Sequence, residues 1–231
     1  MSLFAIGDTH LSFGSDKPMD IFCGWQDYEK RLAENWRATV GRDDTVVIAG
    51  DITWAMRLED TLRDFAFLDG LPGKKLLLKG NHDYWWSTKK KAETFFLQNG
   101  FSSLGILYNN AYRLGGVAVC GTRGWFFDCD EDGGNKIILR EAGRLRMSIG
   151  AAKKLGGEPV AFLHYPPVSS DGSHCREILD VLKDEGIKRC YYGHLHGPSC
   201  RYAVNGKVEG IKFSLISGDF LGFCPKLVEK Y

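Results

Sequence analysis

The sequence predicts an α/β layered protein built on a mixed β-sheet, and three observations carry that expectation. Short, continuously apolar runs stop abruptly at glycine or a polar residue, as strands covered on both faces do. Segments with helical spacing lie between those runs, and strand, helix, strand in alternation is the pattern of layered α/β folds. Two stretches carry hairpin signals instead, so the sheet is expected to be mixed rather than purely parallel.

Residues 3–6 form the first strand and end at Gly7-Asp8-Thr9-His10. Residues 25–40 place Tyr28, Leu32, Trp36 and Val40 four apart, on one face of a helix. Residues 45–49 are the second strand, followed by Gly50-Asp51. Residues 58–68 gather Leu58, Leu62, Phe65 and Leu68 on one side of a second helix. The strand at 74–79 leads to Gly80-Asn81-His82-Asp83. Residues 101–122 are broken at Asn109-Asn110 and Gly115-Gly116, which predicts hairpins. A long charged helix is expected over 135–155, then a strand at 160–163 ending at His164. Residues 173–185 read as a helix capped near Asp171 or Ser173. The strand at 189–192 leads to Gly193-His194-Leu195-His196. Asn205-Gly206, between Tyr202-Ala203-Val204 and Lys207-Val208-Glu209, predicts a closing hairpin. No linker and no repeat divides the chain, so residues 1–231 are expected to form a single domain.

With 231 residues, 44% hydrophobic and 26% charged, the chain has the balance of a globular protein with a sizeable core. That excludes a disordered chain, a collagen-like repeat and a disulfide-stapled miniprotein. Lys plus Arg is 30 and Asp plus Glu 29, a net charge of +1. Proteins that wrap nucleic acid or anionic membrane carry a clear basic excess, so nucleic acid is not an expected partner. The N-terminal apolar stretch is too short for a signal-peptide core, and no apolar run reaches the roughly 18 residues of a membrane span. The seven cysteines are odd in number, scattered and without a C-x-x-C pair, which predicts reduced thiols in a cytoplasmic protein.

Five of the six histidines fall where apolar runs end. Asp8, His10, Asp51, Asn81, His82, His164, His194 and His196 all occupy such positions, and sites in layered α/β proteins form at the carboxyl ends of strands. Five separate segments are therefore expected to converge. Imidazole, carboxylate and amide, with no thiolate, form a donor set suited to a metal-assisted reaction. Gly193 offers the backbone a place to leave its strand before His194.

Taken in order, Asp8-x-His10, Gly50-Asp51, Gly80-Asn81-His82-Asp83, His164 and Gly193-His194-x-His196 resemble the motif set of the calcineurin-like metallophosphoesterase family. The resemblance spans Asp8 to His196, most of the chain. It implies a four-layer α/β/β/α sandwich of two mixed sheets flanked by helices. It also implies two metal ions, one held by Asp8, His10 and His196, the other by Asn81, His164 and His194, with Asp51 bridging. Two cations about 3.5–4 Å apart repel and need an anionic bridge, to which a carboxylate can supply one oxygen each. Imidazole ligands suit manganese, iron or zinc. Metal-bound water has a pKa of roughly 7–9, so the implied reaction is attack on phosphorus by a hydroxide bridging the metals. The counterpart of His82 points at substrate, which implies donation of a proton or hydrogen bond to the leaving-group oxygen. Asp83 either orients that imidazole or caps the following segment.

The expected substrate is a small or nucleotide-like phosphodiester. A phosphomonoester is the alternative, and a non-catalytic metal-binding scaffold is the rival from another class. Protein phosphatases of the family carry Asp-Arg-Gly after the Gly-Asp motif; here Ile52-Thr53-Trp54-Ala55 follows, and that phosphate-gripping arginine is absent. Arg123 is either a phosphate clamp or an ordinary loop arginine. Trp54, Tyr84-Trp85-Trp86 and Trp125-Phe126-Phe127 could stack on a base or sugar, or belong to the core. Asp128, Asp130, Glu131 and Asp132 would repel a polyanion and favour a compact substrate. His174 reads as a surface residue.

Overall fold

The apolar runs are strands whose alternate side chains enter different layers, and this alternation sorts the core into three packed layers. The structure, a computed structural model, describes residues 1–125 and 132–231, with residues 132–135 described by backbone alone. The expectations placed on Phe126, Phe127, Asp128, Asp130, Glu131 and the side chain of Asp132 lie outside the described residues. Along the chain run β1 (Ser2–Ile6), α1 (Tyr28–Thr39), β2 (Thr45–Ala49), α2 (Leu62–Asp69), β3 (Lys74–Leu78), α3 (Lys89–Gln98), β4 (Leu104–Ile106), β5 (Tyr112–Leu114) and β6 (Val117–Thr122). There follow α4 (Asp132–Leu155), β7 (Glu158–Leu163), α5 (Arg176–Asp184), β8 (Arg189–Tyr192), β9 (Gly206–Val208), β10 (Ile211–Leu215) and β11 (Lys226–Lys230).

One sheet has the order β11-β1-β2-β3-β4, the other β5-β6-β7-β8-β10-β9. The inner strands are parallel, as is the β4 edge on β3, and antiparallel strands close the other three edges: β11 on β1, β5 on β6 and β9 on β10. Leu3, Ala5, Val47, Ala49, Leu76 and Leu78 meet Val117, Val119, Val160 and Phe162 between the sheets. Their alternates Phe4, Ile6, Val46, Ile48 and Leu77 pack with Leu32 and Trp36 of α1, Phe65 of α2 and Phe96 of α3. On the far side, Ala118, Cys120, Ala161 and Leu163 pack with Leu145 and Ile149 of α4 and Leu179 and Leu182 of α5. This is the α/β/β/α sandwich of two mixed sheets, and burial on both faces is why the strands read as unbroken apolar runs.

Several elements depart from the sequence reading. The closing hairpin turns at Glu209-Gly210, with φ of 48° and 87°, rather than at Asn205-Gly206. Asn205 instead accepts a hydrogen bond from the Leu215 N–H at 2.9 Å, and residues Gly197–Tyr202 form a 3-10 helix. Within 101–122 only β5 and β6 form a hairpin; β4 runs parallel to β3 in the other sheet, so this stretch crosses between sheets. Asp171 closes a local turn by accepting from the Ser173 N–H at 2.9 Å, and α5 opens at Cys175 with no side-chain cap. Two elements were not expected: α3, whose Thr88 hydroxyl accepts from the Lys91 N–H at 3.2 Å, and the half-exposed edge strand β11. Cys23, Cys120, Cys175, Cys190, Cys200 and Cys224 are free thiols.

Lys75 is a buried cation at the start of this core. Its ammonium donates to the Leu71 carbonyl, to the Asp69 carbonyl at 3.4 Å and to the Ser103 hydroxyl at 3.0 Å. Burial pushes its pKa down from 10.5 to about 8. Between those values the folded chain binds fewer protons than the unfolded one, so this group adds stability as pH rises through that window. Urea unfolding of Lys75→Met across the same window is expected to show a flatter pH slope than the native chain. An identical slope would place the effect on another group.

Candidate metal centre

Each motif begins where a parallel strand ends: Asp8 and His10 after β1, Asp51 after β2, Asn81 and His82 after β3, His164 after β7, His194 and His196 after β8. The two sheets are stitched together at this edge. The Gly7 N–H donates to the Ile216 carbonyl at 2.6 Å, and His164 Nδ1 lies 3.1 Å from the Ala49 carbonyl. Asp8, His10, Asp51 and His194 have φ of 56°, 42°, 49° and 73°, a region that L-residues other than glycine rarely occupy. Such strain gathered at one point is characteristic of a functional site. Two glycines make room for the carboxylates. A Cβ on Gly80 would lie 2.1 Å from Asp51 Oδ1, and one on Gly193 would lie 2.3 Å from Asp8 Oδ2. Gly193 is thus required by close approach to Asp8, while His194 itself makes the turn out of the strand.

The structure brings all eight predicted residues together. Asp8, His10 and His196 present ligand atoms all within 4.8 Å of one another, and Asp51, His164 and His194 do the same. His10 Nε2 and His196 Nε2 face each other at 3.3 Å, and His196 Nε2 lies 3.3 Å from Asp8 Oδ1. Asn81 Oδ1 lies 2.7 Å from His164 Nε2 and 3.0 Å from His194 Nδ1. Asp51 Oδ2 stands between the groups, 3.5 Å from His164 Nε2 and 3.7 Å from His10 Nε2. His174, before α5, takes no part in either group.

The electrostatics show what this donor set lacks. Burial, and then the neighbouring Asp8 carboxylate, push Asp51 up to about 8. Burial would also raise Asp8, but His196, His164 and His10 hold it well below the usual carboxylate range. Burial, then the neighbouring imidazoles, lowers His10 far below its ordinary value and His194 to about 3. Burial likewise lowers His164. His196 goes the other way: against its burial, Asp8 and Asp219 raise it to about 10. The buried Nδ1 of His10 has no partner. Neutral imidazoles, beside a carboxylate unable to keep its charge, fit divalent cations, whose nitrogen and oxygen ligands lie at roughly 2.0–2.2 Å.

Residues outside the predicted set hold these groups in place. Asp219, after β10, lies 2.9 Å from His196 Nδ1 and accepts from the Gly197 N–H at 2.8 Å, leaving His196 Nε2 facing inward. Its signal was present: an apolar run ending in Ser217-Gly218-Asp219 repeats the pattern of Ala49-Gly50-Asp51. Asp83 neither orients His82 nor caps a helix. It accepts from the N–H groups of Gly80 at 2.7 Å and Ile52 at 2.9 Å and from the Trp85 indole at 3.0 Å, tying the second and third motif loops together.

His82 stands at the rim with its side chain one-third exposed, Nε2 4.0 Å from Asp51 Oδ2 and Nδ1 3.2 Å from the Tyr84 hydroxyl. It borders a groove of about 580 Å³ whose apolar wall includes Met19, Phe22, Trp25, Trp54 and Pro198. Trp54 stacks on His10 at 4.9 Å and leans on His82 at 4.5 Å. Trp85 and Trp86 are core residues.

A family model for calcineurin-like phosphoesterases matches residues 1–198, and the chain belongs to that family, whose members are metal-dependent phosphoric-ester hydrolases. The fold is similar to that of TT1561 of Thermus thermophilus, with a TM-score of 0.58, 14% identity, and 98% of this chain and 97% of that one covered. It is also similar to phosphopantetheinyl hydrolase (PptH) from Mycobacterium tuberculosis, with a TM-score of 0.55, 14% identity, and 98% and 95% covered. A sequence match of 36% identity over 58 residues links it to the Gene 66 protein of Mycobacterium phage L5, spanning 25% of this chain and 28% of that protein. Among the described residues no helix is long and apolar enough to cross a membrane.

Asp219→Ala is expected to weaken manganese binding about 10–100-fold, as loss of a partner behind a ligating histidine does. Asp219→Asn, which keeps an acceptor for Nδ1, should recover part of the loss. Calorimetric titration gives the affinities; unchanged affinity in the alanine variant would leave Asp219 a purely structural residue.

Proposed function

We propose that residues 1–231 form a single metallophosphoesterase domain that hydrolyses a small or nucleotide-like phosphodiester. In this reading Asp8, His10 and His196 hold one metal ion, Asn81, His164 and His194 the other, and Asp51 is shared. The donor set suits manganese, iron or zinc. When bound, the ions supply Lewis acidity and bring the pKa of a coordinated water towards neutrality. The return of β11 to β1 across the full length of the chain supports the single domain.

The chain's own residues position and discriminate. Tyr84, donating to Nδ1 of His82, would leave the ring hydrogen on Nε2, directed at a leaving-group oxygen. Burial lowers the His82 pKa, which favours the neutral ring and hence a hydrogen-bond donor over an imidazolium. The observation that carries the diester reading is the apolar groove beside His82. An alkyl or aromatic ester substituent is at home against Trp54, Trp25 and Met19, whereas the extra oxyanion of a monoester finds no arginine among the described residues that line the groove, the nearby cation being Lys17 over the Trp54 ring at 5.7 Å.

Turnover of bis(p-nitrophenyl) phosphate and p-nitrophenyl phosphate by the manganese-loaded protein tests the preference. The diester is expected to have the higher kcat/KM; the reverse order would make this a phosphomonoesterase. His82→Ala should lower kcat by about 10²–10⁴-fold with metal content unchanged by elemental analysis. Loss of the metals on that substitution would make His82 a structural ligand instead.

A further inference from the structure

On the β3 and β6 side of the centre lies a cavity of about 220 Å³ that the reaction described above does not use. Among the described residues, Lys79, Arg123, Arg140 and Arg144 line it, together with one carboxylate, Glu141. Glu141 is 1% exposed and already engaged. It accepts a hydrogen bond from the Thr122 hydroxyl at 2.6 Å and another from Arg144, and Arg123 lies 4.0 Å away. Among the described residues no other carboxylate pairs with any of the four cations. Among the described residues, four cations less one carboxylate leave a surplus of three positive charges.

The fold gains nothing from that surplus. One arginine satisfies Glu141, and Arg140 and Arg144 sit one turn apart on α4, a like-charge spacing that destabilises a helix. Two of the guanidinium groups are nevertheless held in place. Arg144 lies over the Tyr108 ring at 5.3 Å and Arg123 over the Trp125 ring at 4.6 Å. A cleft lined by one sign of charge collects the opposite ion, and fixed guanidinium forks match the oxygens of phosphate.

The cavity also adjoins the centre. Lys79 immediately precedes Gly80-Asn81, and the Arg123 carbonyl accepts from the N–H groups of His164 at 3.1 Å and Tyr165 at 2.9 Å. β6 and β7 are neighbouring strands, about 5 Å apart. The segment after β3 thus lines the cavity through Lys79 and the centre through Asn81.

We propose that this cavity is a second anion subsite, which receives a phosphate of the substrate other than the one being cleaved. The inference rests on the phosphodiesterase reading and narrows it to a nucleotide-like diester that carries an additional phosphate.

The test compares thymidine 5′-(p-nitrophenyl phosphate) with the same compound bearing a 3′-phosphate, using the metal-loaded full chain. The added phosphate is expected to lower KM about tenfold, the worth of one charge-assisted hydrogen bond. In the double variant Arg123→Gln, Arg140→Gln that preference should fall to about one. Equal KM values in the native chain, or a preference that survives the double substitution, would overturn the proposal. Should the native chain cleave neither nucleotide nor bis(p-nitrophenyl) phosphate, the phosphodiesterase reading fails, and calorimetry with inorganic pyrophosphate decides the subsite by itself. One saturable equivalent lost in the double variant upholds the subsite; equal stoichiometry in both proteins rejects it.

Discussion

Two carboxylates, Asp8 and Asp51, are buried side by side at the seam where the C-terminal edges of two sheets meet, and the rest of the structure is arranged around them. Each also fastens the backbone around it: Asp8 accepts from the His194 N–H at 3.0 Å, across the seam, and Asp51 from the His82 N–H at 2.8 Å, between neighbouring loops of one sheet. Burying such charges together is unfavourable, and Asp51 shows it in a pKa raised to about 8. Left-handed backbone at Asp8, His10, Asp51 and His194 adds roughly 1–3 kcal/mol of strain each. Three apolar layers, in which the inner strands are buried on both faces, are what make such a junction sustainable.

The two halves of the junction are not equivalent. On one side, His196 is backed by Asp219 and faces Asp8, so anionic charge surrounds an imidazole raised to about 10. On the other, the neutral amide of Asn81 lies between His164 and His194, and a backbone carbonyl at 3.1 Å, nearer than the Asp8 carboxylate at 3.8 Å, backs His164. Two cations held here would meet different fields, the Asp8 side being the more strongly anionic. An amide in place of a third carboxylate limits the negative charge, which suits a centre that must attract an anion.

The strand ends were legible because the chemistry of this fold is punctuated: an apolar run, a glycine, then a polar group. Asp8, Asp51, Asn81 and His194 obey that grammar, His164 ends its apolar run directly without a glycine, and the structure gathers them all. Elements lacking it were missed. β11 is an edge strand with half-exposed side chains, so Lys226 to Lys230 shows no apolar run, and α3 opens with three lysines that mask its narrow buried face. The turn at Glu209-Gly210 was hidden by the stronger local signal of Asn205-Gly206, whose asparagine serves as a hydrogen-bond acceptor for Leu215 instead. Position alone leaves Asp83 open between orienting His82 and capping the next segment, whereas its oxygens point back to Gly80 and Ile52.

Net charge was the least informative of the sequence measures. A total of +1 argues against long-range steering of polyanions, yet it conceals four cations around one cavity. These two facts agree once screening is considered. At physiological salt, charges are felt over about 8 Å, so a local surplus acts on a group delivered beside it rather than on a distant chain. The groove bordering His82 is walled by apolar side chains and the cavity by cations, two chemically opposite surfaces. Such a layout can select by the order of groups along a substrate, ester substituent, scissile phosphate, second anion, which neither surface could achieve alone.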